Sequence, residues 1–184
     1  MNKINLVEKE IEKVVSQSPS KTDPAHSKGT KKWLLKLNPN ADDALQIAAL
    51  AHDIERGYYK GKKSKEDPNN YDKHKEENSK RSAEVICDIL KKYDFDKKFI
   101  TRVRHLVLKH EIGGDEELNI LKDADSISFF EENLEYYFHK YGEEKVRFKI
   151  KYMFDRMSKK AQEIVKKLKY NDKKLNSIFQ EIVT

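Results

Sequence analysis

His52 and Asp53 are adjacent ionisable residues that follow an almost wholly apolar stretch, Ala44 to Ala51. A carboxylate at the edge of a buried helix loses hydration worth several kcal/mol unless a charge partner offsets it. Other histidines point inward as well. Side chains three, four and seven positions apart share a helix face, and His26 lies on the line of Thr30, Trp33, Leu34 and Leu37. His110 follows Val103, Leu106 and Val107 and passes the same test, whereas His105 lines up with Thr101, Arg102 and Lys109 on a polar face. His74 faces inward only if a helix carrying Asn78, Ser82 and Val85 on one face extends back that far. His139, beside Lys140 and Gly142, reads as surface. Asp123 and Asp125 stand about 200° apart on an ideal helix, so periodicity does not choose between them. One inward histidine is ordinarily a hydrogen-bonded core residue. Several of them, together with carboxylates and no arginine or lysine spaced as regularly, are what a divalent metal would satisfy. Neutral imidazole and carboxylate are its usual ligands.

The elements that must position these groups read as helices. Glycine (6) and proline (4) are scarce and strict alternation is hard to find. Ile4, Val7, Ile11, Val14 and Val15 form a first helical stripe. A second helix starts at Asp23-Pro24, with Asp23 as cap, and ends at "NPN". A third runs from about Ala41 to Tyr58 and is buried by its apolar middle. The basic, breaker-rich loop "KGKKSKEDPNN" follows. A fourth covers roughly His74 to Tyr93; a fifth runs from about Asp96 to Glu111 and stops at Gly113-Gly114. "DEEL" opens a sixth, carrying Leu118, Leu121 and Phe129, and further helices fill Glu143 to Leu168 and Asp172 to the C-terminus. The expectation is an all-α, single-domain helical bundle spanning 1–184.

Length and composition bound the rest. The chain has 184 residues, 38% charged and 37% hydrophobic, which suits one domain with a charged surface. A net charge of +6, mostly lysine, is compatible with an anionic ligand but barely argues for one. The lysines are dispersed among acids with no recognition-helix pattern, so nucleic acid is not the expected partner. Cys87 is alone, the N-terminus lacks the apolar core of a secretory signal, and no apolar run nears the roughly 20 residues needed to span a bilayer. These features predict a cytoplasmic protein with no membrane association.

The order His26, His52-Asp53 and an aspartate within "LKDADSISFF" resembles the HD-domain superfamily of metal-dependent phosphohydrolases, over about residues 20–135. More closely, "HSKGTKKW", "HDIERGYY", "HEIGGD" and "DADSISFFE" resemble a bacterial subfamily of unassigned activity. The resemblance implies that His26, His52, Asp53 and Asp125 hold a divalent cation (Mn, Fe, Mg, Co, Ni or Zn). It selects Asp125 because the family's aspartate sits in an Ala-Asp pair with a hydrophobic residue one further on, as in Ala124-Asp125-Ser126-Ile127. His74 and His110 are the implied ligands for a second ion or the substrate phosphate. The family's histidine before a small pair falls at Asn78, however, with His74 one turn earlier.

The implied activity is hydrolysis of a nucleotide or other small phosphate ester. Asp53 and Glu55 would be the catalytic carboxylates, with Glu55 as general base. Arg56, Arg81, Lys28 and Lys109 would be the phosphate-binding cations, and Lys62 and Lys63 sit on a loop that could cover the pocket. Three alternatives stay open: a catalytically idle HD fold that binds a nucleotide or regulatory ligand, a basic nucleic-acid binder and a two-iron oxygenase. A homodimer through the amphipathic first or last helix also stays open.

Overall fold

The structure is a computed structural model and describes residues 2–62 and 71–184. The all-α expectation holds, with no strand among the described residues. The helices are α1 (Lys3–Val15), α2 (Asp23–Leu37), α3 (Asp43–Ala51), α4 (Glu55–Tyr58), α5 (Tyr71–Lys92), α6 (Lys97–Lys109) and α7 (Glu116–Ser128). A π-helical turn, Phe129–Asn133, then leads into α8 (Leu134–Asp155), α9 (Lys159–Val165) and α10 (Lys173–Val183). Side-chain caps fix many of the starts. Asp42, Asp96, Asp115, Ser158 and Asp172 each accept a backbone N–H in the first turn of the helix that follows, worth about 1 kcal/mol apiece.

The boundaries that differ from expectation have local causes. Asp23 is not the cap of α2; its carboxylate takes the Ser18 hydroxyl and Arg56 instead, and Thr22 occupies the cap position. The helix expected over Ala41 to Tyr58 breaks at His52–Ile54. There Ile54 N–H bonds the Ala51 carbonyl and Arg56 N–H the Asp53 carbonyl, tighter turns than an α-helix makes. α8 starts well before Glu143 and kinks at Gly142, whose φ of 81° is left-handed. The helix expected to run on to Leu168 is interrupted after Asp155, where Asp123 accepts both the N–H and the hydroxyl of Ser158.

Two hydrophobic clusters share a seam. One joins Val7, Ile11, Leu34, Leu45, Ile86, Val107 and Leu121; the other joins Ile127, Phe130, Leu134, Ile150, Met153 and Phe179. Trp33 and Leu37 of α2 pack against both. α2 and α7 share the most extensive helix–helix packing. Gly29 permits it, because a Cβ there would run into the Ser128 hydroxyl. This close crossing sets His26 of α2 beside Asp125 of α7. Among the described residues no helix is long and apolar enough to cross a membrane.

Candidate metal centre

His26, His52 and His110 are each almost fully buried, and each has its Nδ1 committed elsewhere. His52 and His110 cap the C-terminal ends of α3 and α6, and each ring folds back over the last turn. Nδ1 of His52 donates to the Ala49 carbonyl at 2.9 Å, and Nδ1 of His110 to the Val107 carbonyl at 2.7 Å. His26 is fixed by a relay. The Ser128 hydroxyl donates to the His26 carbonyl at 2.9 Å, so its oxygen must accept from His26 Nδ1 at 3.0 Å. A neutral imidazole carries one N–H, so in all three rings Nε2 is left with a lone pair.

Those Nε2 atoms converge on carboxylates. Nε2 of His26 lies 3.1 Å from Asp125 Oδ1 and 3.1 Å from Nε2 of His52. Nε2 of His52 lies 3.5 Å from Asp125 Oδ1 and 3.6 Å from Asp53 Oδ2. Two imidazole lone pairs at hydrogen-bond distance repel unless a cation or a proton stands between them. Without a metal the proton does this work. Burial alone would lower the His52 pKa, but Asp53 and then Asp125 outweigh it and hold it up at about 9. His26, His52 and Asp125 thus form a group that could hold a metal ion, and His110, Glu111 and Asp125 form a second. Nε2 of His110 is buried 3.4 Å from Glu111 Oε1 and makes no well-aligned hydrogen bond among the described residues, a geometry that suits a shared ion.

The surrounding charges keep these carboxylates ionised. Burial pushes the Asp125 carboxyl up, yet His26, His52 and Arg156 hold it well below the usual range. Glu111 is treated likewise by Lys75 and Arg156. Arg156 ties both groups together, reaching Glu111 at 2.5 Å and Asp125 at 3.3 Å. Asp53 is bound by Arg56 at 2.8 Å, which depresses it too.

A cavity of about 230 Å³ opens over this cluster, with His26, Asp53 and Asp125 in its lining. Its walls draw on both hydrophobic halves of the molecule and carry Arg56, Lys75 and Lys149. Lys149 is buried, and its ammonium sits 5.0 Å from the Phe129 ring centre. Burial and the nearby Lys75 pull its pKa down to about 7.

Several expected residues stand elsewhere. Glu55 is fully buried but absent from the cavity lining, and Arg81 of α5 approaches it at 3.4 Å. The cause is the break itself: Asp53 lies in the tight turn between α3 and α4, whereas Glu55 opens α4 and turns towards α5. Arg81, committed to Glu55 and Asn78, is also absent from the lining. Lys28 points outward to Glu12, and Lys109 is exposed on α6; neither lines the cavity. Lys62 is not in the lining either, and Lys63 lies outside the described residues. His74 and Asn78 both line the cavity. Nε2 of His74 faces the Asn78 amide at 3.1 Å, and neither belongs to a ligand group. Asp123 is taken up by Ser158.

Four residues at or beside this cluster lie outside the set the sequence predicts. Glu111 directly follows His110, the same imidazole–carboxylate pairing as His52-Asp53, and that repetition was the available signal. Lys149 shares a stripe with the buried Val146 and Met153, so a lysine on a core face marked it. Lys75 and Arg156 carried no local signal.

The fold and site define an all-helical protein with buried histidine and carboxylate groups able to hold a metal ion. The chain belongs to the family described as a domain of unknown function, DUF4202, whose model matches residues 4–178. No curated protein and no solved structure matches it.

Proposed function

We propose that this protein is a metal-dependent phosphohydrolase acting on a small phosphate ester. The observation that carries the reading is the convergence of the His26 and His52 Nε2 atoms on Asp125 at the base of a cavity walled by cations. The order of His26, His52-Asp53 and Asp125 supports it through the resemblance to HD-domain phosphohydrolases. His26, His52 and Asp125, with Asp53 beside them, are the residues that would hold one ion; His110 and Glu111, sharing Asp125, would hold another. A bound divalent cation supplies a lowered pKa for water and polarisation of a phosphoryl oxygen. The protein's own groups do the rest. Asp53, the one of the two expected catalytic carboxylates that faces the cavity, orients water by accepting its hydrogen bond. Arg56, fixed between Asp53 and Asp23, presents a guanidinium to phosphate oxygens. Lys149 regains full charge when an anion binds beside it, so the phosphate strengthens its own site.

One observation favours the alternative of a ligand-binding module without turnover: Glu55 is held by Arg81 and does not face the cavity. A single experiment separates the two. Purified protein is analysed for metal, then assayed against a panel of phosphomonoesters and nucleotides with Mn²⁺, Mg²⁺, Co²⁺ or Fe²⁺. Release of phosphate that disappears in Asp125→Ala supports the hydrolase; saturable binding without release supports the module.

A further inference from the structure

Beyond the ligands and cations the cavity has an aromatic wall. Asn133 at the end of the π turn and Tyr136, Tyr137 and Tyr141 at the start of α8 stand one or two turns apart on a single face, and all of them line the cavity. The Tyr137 ring lies 4.6 Å from Tyr141 and 6.1 Å from Phe129. The π turn before them adds a residue to the helix and so rotates this face by about 100° relative to a continuous α7. Asn133 is only 8% exposed, and its Oδ1 has no hydrogen-bond partner among the described residues. A buried acceptor left unpaired destabilises the fold that contains it. No group among the described residues repays that cost, whereas a ligand with a donor would.

We propose that Asn133 and this tyrosine wall form a head-group subsite for a planar ring bearing an N–H donor, the base of a phosphorylated nucleoside. The proposal rests on reading the cavity as a phosphate-ester site and adds what selects the ester. Tyrosine rings supply stacking, which every base accepts; the Lys140 ammonium lies over the Tyr136 and Tyr141 rings at 5.5 and 5.0 Å, so Tyr137 is the ring chosen for the test. Oδ1 of Asn133 supplies the directional contact, accepting an N–H from the edge of the stacked ring; ribose 5-phosphate has hydroxyl donors but no planar ring to hold one there.

The test is equilibrium binding to the full chain of nucleoside 5′-monophosphates and of ribose 5-phosphate, for wild type, Asn133→Leu and Tyr137→Leu. At least one nucleotide should bind wild type about tenfold or more tightly than ribose 5-phosphate, and each substitution should bring that ratio towards one. Ligand-free Asn133→Leu should melt no lower than wild type, because leucine removes an orphaned acceptor at similar volume. A wild-type ratio near one, an unchanged ratio in both variants, or a marked fall in the Asn133→Leu Tm overturns the subsite. Selective binding without hydrolysis leaves the subsite standing and removes the hydrolase. Equal hydrolysis of ribose 5-phosphate and nucleotides does the reverse.

Discussion

Nε2 of His26 and Nε2 of His52 lie 3.1 Å apart, although the Nδ1 of each ring is already spent on Ser128 and on the Ala49 carbonyl. Two bare nitrogens in that position require a positive charge between them. A metal supplies it with Asp125 as third ligand. Near-stoichiometric metal is therefore expected in wild type by elemental analysis, with its loss in His52→Ala and Asp125→Ala. His105→Ala, on the exposed face of α6, should retain it. Metal that persists undiminished in Asp125→Ala would refute the site.

The same pair sets the pH dependence. With its pKa held up at about 9, His52 is protonated at neutral pH in the metal-free protein, and a cation must displace that proton. Metal affinity should therefore rise about tenfold per pH unit up to about pH 9 and then level off. Chelator competition across that range measures it. In the metal-free protein the sign for stability is opposite. The raised pKa stabilises the fold fully below the ordinary histidine value, and that contribution is lost as pH rises through 9.

Ser128 holds His26 in one tautomer without touching the proposed ion. Ser128→Ala should weaken metal binding about 10- to 100-fold while leaving the helices intact, as titration and circular dichroism would show. Loss of the helical signal would instead make Ser128 a packing residue.

Gly29→Ala drives a methyl group into that hydroxyl. It should cost about 1–3 kcal/mol of stability by overpacking and also lower metal affinity, because it separates α2 from α7. Thermal melting and metal titration on one preparation report both effects.

Lys149→Met replaces a buried ammonium with an apolar chain of similar length. Since the folded-state pKa of Lys149 is lowered to about 7, its penalty is greatest below that pH and fades as pH rises towards the ordinary lysine value. The variant should therefore gain about 1–4 kcal/mol at pH 6 and progressively less in alkali, and it should bind inorganic phosphate more weakly. A destabilised variant at pH 6 would contradict this placement.

Local sequence determined a good deal of this protein. Apolar spacing carried the helices, and capping residues such as Asp96 and Asp115 placed their starts, because both act over a single turn. The inward direction of His26 and His110 followed from their helical neighbours alone. Distance in sequence is what local reasoning cannot cross. Periodicity left Asp123 and Asp125 open and the family resemblance selected Asp125; the tertiary structure supplies the reason, since Asp125 meets His26 while Asp123, on another face of the helix, turns to Ser158. Only the tertiary structure showed that Glu55 swings away from Asp53 after the break at His52–Ile54, that Lys149 of α8 lines the cavity, and that Arg156 just after α8 binds Asp125 and Glu111. A chain specifies the face each side chain takes through short-range geometry. Which faces meet depends on how closely helices far apart in sequence can pack, as the bare backbone of Gly29 allows α2 and α7 to do.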